Sequence, residues 1–139
     1  MHCTPSTIDV LVIDDEYSIV AELIAFLEKA GLVCCGTSDP WEALHLLAEG
    51  VRPAVIVADI RMPELNGLEL GKRLTPVIAP QRPEIVFISG CAVLADAIEA
   101  MRLGAHDLLA KPIDLRRLIQ VIKDILMLRR IPHENHTER

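Results

Sequence analysis

The sequence predicts an α/β fold in which βα units repeat around a parallel sheet. Short β-branched runs recur along the chain, and each is followed by a stretch whose apolar residues recur at helical spacing. At 139 residues and 51% hydrophobic content, the chain holds enough apolar mass for one ordinary core and is too short for a second folded domain.

The strands are expected at Asp9 to Ile13, Val33 to Gly36, Ala54 to Ala58, Glu84 to Ile88 and Asp107 to Ala110. Between the first two, Val20, Leu23, Ile24 and Leu27 repeat on one helical face, and Gly31 suits a left-handed stop after it. Ser38 or Asp39 can cap a second helix, Trp41 to Glu49, with Pro40 in its first turn and Glu42 placed to complete a capping box. A third helix, Gly67 to Leu74, contains Gly71 and precedes a Pro-rich stretch from Pro76 to Pro83. The fourth, Val93 to Leu103, is Ala-rich and closes at Gly104.

A fifth helix runs from an Asp114 cap to Arg130, with Leu115, Leu118, Ile119, Ile122 and Ile125 as its core stripe. Val121, Met127 and Leu128 lie off that stripe, either within a broad buried face or as a contact for a partner. The domain is expected over residues 8–130, with flexible termini at 1–7 and 131–139.

A net charge of −6 argues against nucleic-acid binding, which needs clustered Lys and Arg; Arg129 and Arg130 are the nearest approach to a basic patch. No uncharged stretch approaches the roughly 20 residues that cross a bilayer. The first apolar run, Val10 to Ile13, stops at Asp14, Asp15 and Glu16 instead of continuing as a signal peptide. The expected location is therefore cytoplasmic. Cys3, Cys34, Cys35 and Cys91 show no Cys-x-x-Cys spacing and read as buried or idle thiols.

In a parallel sheet all carboxyl ends of strands lie on one edge, where open α/β folds bind ligands. That edge collects Asp14 and Asp15 after the first strand, Asp59 after the third, Ser89 after the fourth and Lys111 after the fifth. Singly, each acidic residue reads as a solvated strand end or a cap, Lys111 as a surface lysine and Ser89 as a turn residue before Gly90. Together they make a site. Three neighbouring carboxylates, ordinarily ionised at pH 7, need a cation, and an all-oxygen donor set favours hard Mg²⁺, with Mn²⁺ as an alternative. Lys111 adds a mobile positive charge, and a carboxylate can act as nucleophile to give an aspartyl phosphate. Asp59 fits that part because it ends the central strand; Ser89 can donate a hydroxyl hydrogen bond to a phosphoryl oxygen. Trp41 reads as packing, and His45, His106, His133 and His136 lack ligand partners at metal spacing.

The run Val-Ile-Val-Ala-Asp59-Ile-Arg-Met62-Pro63-x-x-x-Gly67, with Val-Leu-Val-Ile-Asp14-Asp15-Glu before it and Ile-Ser89-Gly and Leu-Ala-Lys111-Pro112 after it, resembles the response-regulator receiver domain of two-component systems over residues 8 to 127. The resemblance implies a flavodoxin-like three-layer sandwich, (βα)5, with sheet order 2-1-3-4-5. It implies phosphotransfer to Asp59 from a histidine kinase or phosphotransfer protein, and self-catalysed dephosphorylation. It also implies direct metal contact by Asp15, Asp59 and the main-chain carbonyl of Arg61, with Asp14 acting through water. Lys111 would pair with the phosphoryl group and precede a cis bond to Pro112.

Output, by the same resemblance, passes through the fourth helix, fifth strand and fifth helix, with Arg102, Leu108 and Arg116 on or near that face. A downstream protein, a fused effector domain or a second copy of the chain would bind there. One position departs from the family pattern: Leu108 stands where receivers carry Tyr or Phe, so a switch here relies on backbone and Ser89 movement.

Other classes fit less well. A phosphatase resembling the haloacid dehalogenase group wants a second Asp two residues after the nucleophile, where this chain has Arg61, and a cap that has no insertion to form it. A flavodoxin-like binding module would want phosphate-cradling glycines where Asp14, Asp15 and Glu16 stand. A receiver reduced to a scaffold would not need the complete acidic set with Ser89 and Lys111.

Overall fold

A computed structural model describes residues 7–74, 83–90 and 94–130. Its strands are β1 (Thr7–Ile13), β2 (Cys34–Thr37), β3 (Arg52–Asp59), β4 (Glu84–Ser89) and β5 (Asp107–Ala110). The helices are α1 (Tyr17–Lys29), α2 (Pro40–Ala48), α3 (Gly67–Leu74), α4 (Leu94–Arg102) and α5 (Leu115–Arg130). All strand pairs are parallel, in the order β2-β1-β3-β4-β5. Residues 1–6 and 131–139, the Pro76-to-Arg82 stretch, and Val93 lie outside the described residues.

Alternation along the strands divides the core. Leu11, Ile13, Ile56, Ala58, Ile85 and Phe87 face α2, α3 and α4, whereas Val10, Val12, Val55, Val57, Val86 and Ile88 face α1 and α5. The central strands are apolar on both faces because helices cover both. The stripe predicted for α1 is buried in full: Val20, Leu23, Ile24 and Leu27. On α5, Leu118, Ile122 and Ile125 are buried while Leu115, Ile119 and Val121 pack at the margin; Met127 and Leu128 are exposed. Each fully buried aliphatic side chain contributes about 1.5–3 kcal/mol relative to exposure.

Three details differ from expectation. β1 starts at Thr7, inside the segment expected to be flexible, because Thr7 and Ile8 pair with Arg52 and Pro53 of β3. Proline is tolerated there since β4 joins only at Val55, leaving that stretch of β3 locally at an edge. The capping box of α2 does not form: Asp39 accepts from the Trp41 N–H at 2.9 Å, but Glu42 accepts from the Thr37 hydroxyl, and the Asp39 N–H goes to Thr37 Oγ1 at 3.0 Å. The thiols also divide. Cys35 is buried and disulfide-bonded, whereas Cys34 is free and its thiol is pushed up to about 12, first by burial and then by the charges of Glu28 and Asp9. Gly31 and Gly104 take positive φ values of 89° and 82° and close α1 and α4 as the sequence suggested.

Candidate functional site

The ladder register sets the site. Ile13 pairs with both Thr37 and Ala58, Asp59 with Ile88, and Ser89 with Ala110, so the strands end nearly level on one edge. Backbone bonds tie the following residues across that edge: Ile60 N–H to Ile88 O at 2.9 Å and Lys111 N–H to Ser89 O at 2.9 Å. Asp14, Asp59, Ser89 and Lys111, scattered in sequence, are thereby gathered at one rim. The Lys111–Pro112 peptide bond is cis.

One carboxylate oxygen from each of Asp14, Asp15 and Asp59 lies within 4.8 Å of the others. Asp14 and Asp59 are buried and Asp15 is exposed. The Lys111 ammonium bridges the two buried carboxylates, 3.2 Å from Asp14 Oδ2 and 3.2 Å from Asp59 Oδ2. The remaining oxygens are held by backbone: Glu16 N–H donates to Asp14 Oδ1 at 2.9 Å, and Arg61 N–H donates to Asp59 Oδ1 at 3.1 Å. Ser89, the last residue of β4, is buried beside this group.

Burial pushes the Asp59 carboxyl above its ordinary range and the charge of Asp14 adds to the rise, against the Arg61 N–H bond and Lys111, which lower it. Burial works against the Lys111 charge, yet the hydrogen bonds and charges of Asp14 and Asp59 hold its ammonium above the usual lysine value. One ammonium thus bridges two carboxylates while the third, Asp15, stands beside them, so acidic groups outnumber the base at this rim. An all-oxygen, negatively charged set of this kind suits a hard divalent cation.

Gly67 shapes the loop after Asp59. A Cβ built on it would lie 2.5 Å from the Asp59 carbonyl oxygen, and its N–H donates to Ile60 O at 3.0 Å. The loop folds back onto the backbone of Asp59 only because no side chain stands between them. Leu108 is half-buried against the core formed by α2, α3 and α4.

Sequence reasoning missed one contact at the rim. The Arg61 guanidinium lies 2.5 Å from Asp96 Oδ2 in the first turn of α4. The sequence offers the Arg61 side chain no partner, since no local pattern joins residues 35 positions apart.

The family model for the response regulator receiver domain matches residues 10–123. The C4-dicarboxylate transport transcriptional regulatory protein DctD of Pseudomonas aeruginosa is 35% identical over 130 residues, which is 94% of this chain and 28% of that protein. Regulatory protein AtoC of Escherichia coli is 30% identical over 125 residues, 90% of this chain and 26% of AtoC. The chain therefore spans little more than a quarter of these two relatives. A response regulator receiver protein from Pseudomonas putida superposes with a TM-score of 0.78 at 28% identity, covering 86% of this chain and 98% of the other.

Fold, rim and matched residues together define a receiver domain, a family of phosphoacceptor switches. The chain belongs to the response regulator receiver domain family of two-component systems, in which phosphorylation and magnesium binding are characteristic. Among the described residues, no helix is long and apolar enough to cross a membrane.

Proposed function

We propose that the domain at residues 8–130 takes a phosphoryl group on Asp59 from a histidine kinase or a histidine phosphotransfer protein. The observation that carries this is the Lys111 ammonium held 3.2 Å from both Asp14 and Asp59, a fixed positive charge where phosphoryl charge would arrive. A carboxylate oxygen of Asp59 attacks phosphorus, the donor's N–P bond breaks, and the imidazole leaves with the bonding pair. Lys111 and the Ser89 hydroxyl bind the transferred oxygens, while the Arg61 N–H keeps the other carboxylate oxygen oriented. Asp14, Asp15, Asp59 and the main-chain carbonyl of Arg61 would hold Mg²⁺, or Mn²⁺, whose charge offsets that of the phosphoryl group. Attack of water on phosphorus later restores the carboxylate, so the domain catalyses its own loss of signal.

Output is assigned to α4, β5 and α5, where Arg102 and Arg116 are exposed and α4 also exposes Leu94, Ile98 and Met101. The occupant is a downstream protein, a fused effector domain or a second copy of the chain. The protein is placed in the cytoplasm, with no direct nucleic-acid or membrane contact through this domain.

Incubation with acetyl phosphate and Mg²⁺ followed by intact mass tests the assignment. Wild type should gain one phosphate, and Asp59→Asn and Asp15→Asn should gain none. Labelling that persists in Asp59→Asn would reject Asp59 as the acceptor.

A further inference from the structure

Among the described residues, α4 is the helix with the fewest buried side chains. Ala100 is its one fully buried residue among the described residues, and Leu94, Ile98 and Met101 face solvent at 74%, 45% and 50% exposure. A helix with so little buried apolar surface draws little of its position from core packing.

Among the described residues, two ion pairs tie it to its neighbours. Lys72 of α3 lies 3.7 Å from Glu99, and Arg61 lies 2.5 Å from Asp96. The second differs in kind from an ordinary surface pair. The Asp96 side chain is only 18% exposed, so its charge is largely withdrawn from water and depends on the guanidinium, whereas the Arg61 side chain is 56% exposed and free to turn.

Arg61 is also the residue whose own N–H binds Asp59 Oδ1 at 3.1 Å. Its backbone is thus fixed at the acceptor carboxylate while its side chain holds the first turn of α4. Because the Arg61 N–H already lies 3.1 Å from Asp59 Oδ1, a phosphoryl group on Asp59 would bring a near-dianion with three acceptor oxygens close to the base of that side chain, in competition with a single carboxylate.

We propose that the Arg61–Asp96 pair is a clasp that holds the first turn of α4 in the unphosphorylated protein and opens when Arg61 turns toward the phosphoryl group. This rests on Asp59 being the acceptor, and makes Arg61 the link between that event and α4. Asp96 acts through Arg61 and is a positioning residue. Because the exposed row Leu94, Ile98 and Met101 rides on this helix, opening the clasp changes how that row is presented.

Amide hydrogen exchange of residues 94–103 in the full chain, with and without beryllofluoride and Mg²⁺, tests the clasp. In wild type the phosphoryl mimic should speed exchange there by about fivefold, the scale of one partly shielded ion pair. Arg61→Gln and Asp96→Asn should each exchange that fast without the mimic, and the double variant no faster than either single one, because one interaction is lost in all three. Additive effects in the double variant, or single variants that exchange as slowly as wild type, would overturn the clasp. Phosphate labelling of wild type is measured in parallel. Labelling on Asp59 with unchanged α4 exchange rejects the clasp alone, whereas absence of labelling rejects the acceptor assignment and the opening step with it.

Discussion

Substituting alanine for Gly67 should reveal how tightly the loop after Asp59 is folded onto the acceptor. The added Cβ would lie 2.5 Å from the Asp59 carbonyl oxygen, about 0.9 Å short of the 3.4 Å at which ordinary contact begins, and 3.1 Å from both Asp59 C and Ile60 Cα, about 0.3 Å short of it. All three atoms are backbone within or next to a strand paired on both sides, so none can swing away. Either α3 lifts or the end of β3 moves.

Such overpacking costs about 1–3 kcal/mol, which for a chain of this size lowers the melting temperature by about 3–12 °C. Displacing the reacting carboxylate by nearly 1 Å should slow labelling by acetyl phosphate on the order of 100-fold. Gly71 in the same helix is the control. There a Cβ would meet Phe87, Leu103 and Ile85 side chains at 3.4, 3.6 and 3.8 Å, which is ordinary contact. Gly71→Ala should therefore be stabilising by about 0.5–1 kcal/mol through helix propensity. Thermal melts and timed intact-mass measurements on both variants decide the matter. Gly67→Ala that melts at or above wild type and labels at the same rate would refute the close-approach account, since propensity alone predicts that outcome.

Two further outcomes follow from the charges at the rim. Because the Asp59 pKa is raised in the folded protein by burial and by Asp14, the folded state holds that proton more tightly than the unfolded one, so stability falls as pH rises from the ordinary carboxylate value through the raised one. Asp59→Asn, which cannot ionise, should melt higher than wild type at pH 7 in metal-free buffer, with the gap closing toward about pH 4, near the ordinary carboxylate pKa; a variant less stable than wild type at pH 7 would contradict this. Magnesium at 100 times its Kd should stabilise wild type by about 2.7 kcal/mol through mass action. Loss of that shift in Asp15→Asn is expected, and an equal shift in both would count against the acidic cluster as the metal site.

The sequence was legible wherever one residue's neighbours along the chain decide its state. The α1 stripe, the α3 limits, all of β5 and the left-handed stops at Gly31 and Gly104 follow from spacing and local sterics. Motif spacing likewise gathered Asp14, Asp15, Asp59, Ser89 and Lys111 at one edge, since parallel strands share a carboxyl end. Local pattern failed at Glu42, whose partner is the Thr37 hydroxyl instead of a helix N–H, and at the start of β3, expected at Ala54 but reaching back through Pro53 to Arg52 where β4 has not yet joined.

By itself, then, the order of residues determined the fold class, the family and the composition of the acidic rim. Only the tertiary structure decided that Lys111 bridges two buried carboxylates, that Gly67 lies against the backbone of Asp59, and that Arg61 holds Asp96. The physical reason is one of range. Propensity and periodicity act over a few residues, whereas an ion pair or a steric contact depends on distance in space, which is fixed only when ladder register and helix packing bring remote segments together.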